Sequence, residues 1–373
     1  MDDLRERLRS LDQLEPPDLR RRLGIHSMPP PRERRSARLL AAAAVLLVAA
    51  AAIAAAFVAF RGTARPAAPS VAPTLRPNGP IWFLGGDQPG SIFGPSSVSS
   101  IDEDGSGRST LNISNRLHSI TGLAVSPNGL LIAVSNGGGE FPPRNIFVMQ
   151  SDGSGLRQIT SGEFQEVDPA WAPDGSRIVF SSTRCCASDR SQSNYDLYTI
   201  RPDGSDLRHL ISDSASDLSP AWSPDGSRIA YVRYEEGDRG WQIWTVSADG
   251  TDAGRVVDND RYNSVVAWSP DGDELAYVTE LGDRDYQIRV VRADGTHERT
   301  LFECSEPCIA TGYTLAWSPD GTEIAFTQFF KSPGHAKQKI SLIPSSGGEV
   351  RIVETTGTSA CCLSWVPKNP SGP

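Results

Sequence analysis

Short apolar runs separated by turn residues dominate the chain from about residue 80 onward. Arg228-Ile229-Ala230-Tyr231-Val232, Leu197-Tyr198-Thr199-Ile200, Ile243-Trp244-Thr245-Val246 and Ile288-Arg289-Val290-Val291 are rich in β-branched and aromatic residues and bounded by Pro, Gly, Asn or Asp. Runs this short with these boundaries predict β-strands joined by tight turns. One segment has a different pattern. Leu39 to Phe60 is 22 residues without a charged or polar side chain. At 1.5 Å per residue a helix of that length reaches about 33 Å, enough to cross a hydrocarbon core of about 30 Å.

The strand pattern repeats. Ala170-Trp171-Ala172-Pro173-Asp174-Gly175 returns as Ala221 to Gly226, Ala267 to Gly272 and Ala316 to Gly321. A weaker copy is Ala124-Val125-Ser126-Pro127-Asn128-Gly129, and a truncated one is Ser364-Trp365-Val366-Pro367. From Val125 through Trp171, Trp222, Trp268, Trp317 and Trp365 the steps are 46, 51, 46, 49 and 48 residues. A fixed motif at uneven steps means a constant core unit with variable loops. Within the motif, Pro presets the first turn position, Asp bonds its own backbone and Gly takes the left-handed conformation. A second turn follows in each unit, at Asp152-Gly153, Asp203-Gly204, Asp249-Gly250 and Asp294-Gly295, and Asp-Gly between apolar runs is a hairpin signal. Each repeat therefore predicts a four-stranded antiparallel meander, and a ring of such sheets is a β-propeller.

Second strands begin near Ile81, Leu130, Arg177, Arg228, Glu274 and Glu323, so six blades are expected. The first lacks a tryptophan motif before it, and the last motif lacks a second strand after it. Either the strand around Trp365 completes the blade that starts at Ile81, which is the preferred closure, or Pro77-Asn78-Gly79 marks a degenerate turn whose preceding strand, residues 72–76, does so locally. The five tryptophans are expected between neighbouring blades as structural residues.

The Ala-Trp-Ser-Pro-Asp-Gly-x-x-Ile-Ala-(Tyr/Phe) unit with its later Asp-Gly-(Ser/Thr) turn resembles the propeller repeat of the TolB family, and is similar to that of prolyl-oligopeptidase-type enzymes. The resemblance covers about residues 80–367 and implies a protein- or ligand-binding scaffold. TolB carries an α/β domain before its propeller. Here a membrane anchor is expected in its place, so a role in a Tol-type envelope complex does not carry over.

Charge sets the expected topology. Residues 1–60 hold ten arginines against seven acidic residues, a net +3, and the remainder holds 26 basic against 38 acidic, a net −12. Seven arginines lie between positions 20 and 38, against Arg61, Arg65 and Arg76 in the twenty residues after the apolar segment. The positive-inside rule then places the N-terminus in the cytoplasm and the large acidic part outside it. A cleaved signal peptide is the rival, but its apolar core is usually shorter. The expected plan is a basic cytosolic tail (1–38), a transmembrane helix (39–60), an Ala/Pro-rich linker (61–79), the propeller (80–367) and a disordered tail (368–373). A surface this acidic excludes nucleic acid as a partner. Leu4, Leu8 and Leu11 stand at helical spacing in the tail, which keeps open a second reading: an anti-sigma-like sensor signalling through the tail.

No enzyme is expected. The chain has no Gly-x-Ser-x-Gly, His-Glu-x-x-His or Gly-x-x-x-x-Gly-Lys-(Ser/Thr) motif, and only eight residues follow Trp365. An exported hydrolase or lyase is the third reading. Neither cofactor nor metal is expected, because each turn offers a single Asp. Both turn families fall on one face of the ring, so the longer, dissimilar loops fall on the other. They hold Arg184, Tyr234, Arg239, Tyr286, Tyr313, Phe329 and Phe330, the candidate anchors for an unknown protein or envelope ligand. The cysteines Cys185, Cys186, Cys304, Cys308, Cys361 and Cys362 map to that face too. In an exported domain they are disulfide candidates.

Overall fold

The computed structural model describes residues 77–368 apart from 86–96, 114–116, 118, 138–142, 185–193, 236, 238–239, 283–284, 305–307, 310–313, 333–334 and 357–359. They form six antiparallel sheets in sequence order, the meanders that the turn spacing predicts. Blade 1 is made from both ends of the domain. Its strands run Ala360–Pro367, Asn78–Gly85, Ser97–Ile101 and Ser109–Asn112 from the inside outward. Ile81 pairs with Trp365 and Trp82 with Ser364, so the strand at Trp365 closes the ring. Pro77-Asn78-Gly79 leads into this pairing instead of serving as a turn. Asn78 reaches into blade 6, accepting from the Asp320 N–H at 3.2 Å and donating to its carboxylate at 3.1 Å. Blades 2 to 5 open with the innermost strands Ile120–Val125, Glu166–Trp171, Ser216–Trp222 and Asn263–Trp268. In blade 6 the innermost strand is split into Cys308–Ile309 and Leu315–Trp317, both paired with Glu323–Ser332.

The motif serine explains why the turn recurs. Ser223 Oγ donates to Asp225 at 2.6 Å and accepts the Arg228 N–H at 2.9 Å, while Asp225 Oδ1 accepts the Ser227 N–H at 3.0 Å. Ser269 and Asp271, and Ser318 and Asp320, repeat the set, and Ser126 makes it with Asn128. One hydroxyl therefore ties the end of the innermost strand, the turn and the start of the next strand. Gly226 has φ +71°, and a Cβ there would meet Pro173 of the preceding blade at 3.3 Å. The turn glycine is fixed by neighbour packing as well as by its backbone angle.

Apolar clusters fill the seams between blades. Ala133, Ile146 and Val148 of blade 2 meet Trp171, Phe180 and Ile200 of blade 3. Ala325, Ile340 and Leu342 of blade 6 meet Ile81, Phe83 and Trp365 of blade 1. The indoles add polar ties. Trp171 Nε1 donates to the Ala124 carbonyl at 3.1 Å, Trp268 to Ala221 at 3.1 Å and Trp317 to Ala267 at 3.2 Å, each across a seam. Trp365 bonds Gly79 at 2.9 Å within the closing pair of strands. Trp222 departs from the series: its buried Nε1 has no acceptor among the described residues.

Among the described residues no helix is long and apolar enough to cross a membrane. Leu39–Phe60 and the tail with Leu4, Leu8 and Leu11 lie outside them.

Blade 3 carries Ala172 where the other full motifs carry the hub serine, so it lacks the two side-chain bonds. Ser223→Ala should cost about 1–2 kcal/mol and Ala172→Ser should gain up to about 1 kcal/mol, the usual range for such bonds. Urea titration of both variants checks this, and loss of stability on adding the serine would show that the hub is not what holds the turn.

Candidate functional site

The innermost strands of all six blades wall an axial channel of about 990 Å³. Trp171, Trp222, Trp268, Trp317 and Trp365 line it, together with the turn prolines Pro127, Pro173, Pro224, Pro270, Pro319 and Pro367. The sequence presents the tryptophans as seam residues, and Trp171, Trp317 and Trp365 are indeed 8% exposed. The same tryptophans also line the channel, because a residue on an innermost strand can seal a seam and contribute to the wall together.

The innermost strands of blades 1 to 5 are irregular in the same place. The register shifts between Leu218 and Ala221, between Val167 and Ala170 and between Ser264 and Val266. The residue three before the tryptophan has positive φ in four blades: Asp168 (+54°), Ser219 (+52°), Val265 (+33°) and Cys362 (+60°). Such angles cost a non-glycine residue free energy and concentrate where surroundings impose them for function. At this depth Gly122, Asp168, Ser219, Val265, Thr314 and Cys362 form a belt around the channel. Asp168 is the single acidic or basic side chain among the described residues of the wall. It accepts from Ser219 N at 3.2 Å and Ser219 Oγ at 3.4 Å, across the seam where Trp222 lacks its partner. Burial pushes its carboxyl up, and the two Ser219 bonds pull it back.

The long-loop residues have other roles. Arg184 Nε donates to Glu166 at 2.6 Å and its guanidinium covers Phe164 at 4.7 Å, so it holds a buried carboxylate. Tyr286 is the clearest correction. The chain between Glu280 and Asp285 is a hairpin of long strands, Glu274–Gly282 and Asp285–Arg292, and Tyr286 is 2% exposed beside Phe302. A longer strand in place of a loop turned its ring into the core. Tyr234 is exposed and tilts against Trp241 at 5.5 Å. Phe329 and Phe330 belong to the strand Glu323–Ser332, opposite Gln338 and Lys337, with side chains outside the described residues. Arg239 and Tyr313 lie outside them altogether.

Of the cysteines, Cys304 is buried at the end of Arg299–Cys304 and is disulfide-bonded. Cys362 does not belong to a face loop: it sits in the channel belt, its sulfur donating to the Thr121 carbonyl at 3.3 Å. Cys185 and Cys186 and the side chains of Cys308 and Cys361 are outside the described residues.

The feature hardest to read from sequence on the long-loop side is a buried ion pair. Arg233 Nε and Nη2 donate to the two oxygens of Asp217 at 2.7 and 2.9 Å, and Nη2 also reaches Asp213 at 2.7 Å. The rings of Trp244 and Tyr231 lie 5.1 and 5.4 Å from the guanidinium carbon. Asp217 stands five residues before Trp222, as Glu166 does before Trp171. That recurrence is the available sequence signal.

A family model described as the TolB beta propeller domain matches residues 185–284. The Protein TolB homolog of Chlorobium luteolum is 27% identical over 143 residues, which is 29% of this chain and 32% of that protein. Dipeptidyl-peptidase 5 of Porphyromonas endodontalis is 28% identical over 117 residues, 30% of this chain and 16% of that protein. The chain thus spans well under two thirds of these curated relatives. The crystal structure of TolB from Acinetobacter baumannii superposes with a TM-score of 0.61 at 18% identity, over 78% of this chain and 67% of the other. The propeller is TolB-like.

Burial pushes the Asp217 carboxyl up to about 6 against the pull of Arg233, so the pair is ionised at pH 7. Arg233→Met strands a buried carboxylate and should cost about 3–5 kcal/mol at pH 7. A carboxyl raised on folding stabilises fully below its unfolded value and loses that contribution as pH rises through its folded value. Without Arg233 the folded value climbs further, so the deficit should shrink from pH 7 to pH 5. Urea titrations of both proteins at both pH values check this, and a deficit independent of pH would contradict the ion-pair account.

Proposed function

We propose that this chain is a membrane-tethered, non-catalytic binding scaffold that holds its propeller outside the cytoplasm and takes its ligand in the axial channel. The observation that carries the reading is the channel itself. Its volume of about 990 Å³ is at the upper end of ligand pockets, and its wall of aromatic and apolar side chains with few polar groups is their usual composition. The positive-φ belt adds support, since four strained residues share one depth of the wall. The described wall holds no His, Lys or Arg, which favours binding over acid–base chemistry. Likeness to TolB and to a peptidase supports a propeller that serves recognition, and neither name identifies the ligand. The tether rests on the apolar run Leu39–Phe60 and the arginine asymmetry around it.

Two experiments test the two halves. Thr314→Trp narrows the channel at its belt. Full-length protein and variant, compared at equal melting temperature, should differ in retention of species from an envelope extract: those that need the open channel should fall about tenfold or more with the variant, the loss typical of a blocked central contact. Equal retention would move the site to the long-loop face or elsewhere. For the tether, protease added to intact cells should digest the propeller and spare residues 1–38. Protection of the propeller until lysis would reverse the topology.

A further inference from the structure

The belt of the channel carries one carboxyl group more than the fold requires. Residues at the equivalent place in the other blades are Gly122, Ser219, Val265, Thr314 and Cys362, all uncharged, and their seams close. The tie between Asp168 and Ser219 needs only an oxygen acceptor, which Asn would supply while accepting the same left-handed angle. Asp168 nevertheless places a carboxylate in an apolar wall, where an uncompensated charge is costly. Its partners among the described residues are the two Ser219 donors, both on Oδ2, and no ion pair is among them. Arg144 and Tyr195 are the nearby groups that sense its charge, and the Arg144 guanidinium is turned to Gln165 at 2.6 Å. A carboxylate offers about four lone-pair positions, so donors from outside the protein have somewhere to bind.

We propose that Asp168 makes the channel selective for an apolar ligand bearing a single organic cation, an alkylammonium or guanidinium group, which the carboxylate receives inside the ring of indoles. The inference rests on the channel being the binding site. Three features define this class of ligand. One carboxylate matches one positive charge. Five tryptophans contribute to the same wall, and indole is the side chain that attracts such cations best. A calcium ion takes six to eight oxygens, and the described residues contain no group of three metal-ligating side chains. The prolines, Leu315, Leu363 and Val266 suit the apolar carrier on either side of the charge.

Tryptophan fluorescence of the full chain reads the site directly, because all eight tryptophans lie beyond residue 80 and five line the channel. The probes are N-acetyl-Leu-Lys-Leu-amide, its norleucine and glutamate counterparts, and n-butylammonium. In wild type the lysine peptide should bind about tenfold or more tighter than the norleucine peptide, the size of a hydrogen bond to a charged group, and the glutamate peptide should bind most weakly. Asp168→Asn keeps the Ser219 bonds and should bring lysine and norleucine within about twofold while leaving norleucine unchanged, a difference too small for a lost charge-assisted bond. Saturable binding of butylammonium as tight as that of the peptide would assign the site to a free amine, and tighter peptide binding to a chain segment. Each outcome supports the cation. Equal affinities in wild type, or a preference that survives Asp168→Asn, would overturn the role of Asp168 with the channel reading intact. Absence of binding by every probe, with Thr314→Trp and wild type alike, would overturn the channel reading itself. A melting curve for Asp168→Asn within a few degrees of wild type, the span expected of a mild substitution, confirms that the comparison is between folded proteins.

Discussion

The molecule depends on the pairing of Ala360–Pro367 with Asn78–Gly85. Every blade buries one face against the next, so an open row of six would leave two apolar faces in water and a bare sheet edge. Joining the last strand to the first sheet removes both defects. The close approach at this join is visible at Gly79, where a Cβ would lie 2.7 Å from the Val366 carbonyl oxygen. Asn78 then fastens the sheet to blade 6 through Asp320. The axial channel exists only because this pairing holds, so stability and binding share one constraint.

The fold was legible because its repeating unit is local. Ser-Pro-Asp-Gly specifies a turn through bonds among neighbours, and a ring of like sheets follows from repetition. The channel was less legible for a physical reason. What recurs three residues before four of the five tryptophans is a backbone angle and a shift of register, while the side chains at that place around the ring are Gly, Asp, Ser, Val, Thr and Cys. No residue type marks the position, so no motif could. Tyr286, one of the long-loop candidates, was misplaced for a different reason. Variable length between strands reads equally well as loop or as extended hairpin, and at Glu274–Arg292 the chain chose the hairpin, which carried Tyr286 inside.

The acidic residues divide by environment. At the outer turns, side-chain and then backbone bonds from Ser154, Ser205, Thr251 and Thr296 hold Asp152, Asp203, Asp249 and Asp294 below the usual carboxylate range. These carboxylates are exposed, and their work is local turn chemistry. Glu166, Asp168 and Asp217 are pushed the other way by burial. Two of the three have an arginine: Arg184 for Glu166 and Arg233 for Asp217. Asp168 has two neutral donors from one serine. The contrast is within one pair of blades, so it does not follow from how acidic the chain is overall.

Blades 3 and 4 share a seam with its own departures from the repeat. Ala172 replaces the hub serine, Trp222 lacks the carbonyl that other seam indoles find, and the cross-seam tie passes instead through Asp168 and Ser219. In a ring built from copies, packing rewards likeness, because each seam must fit the next. A charge in the wall weakens the seam that holds it, and Asn would serve the tie as well. Retaining a carboxylate there is consistent with a requirement that lies outside the ring, in what enters the channel. A site of this kind is found by asking where a repeating structure stops repeating, and which of the differences its own packing does not need.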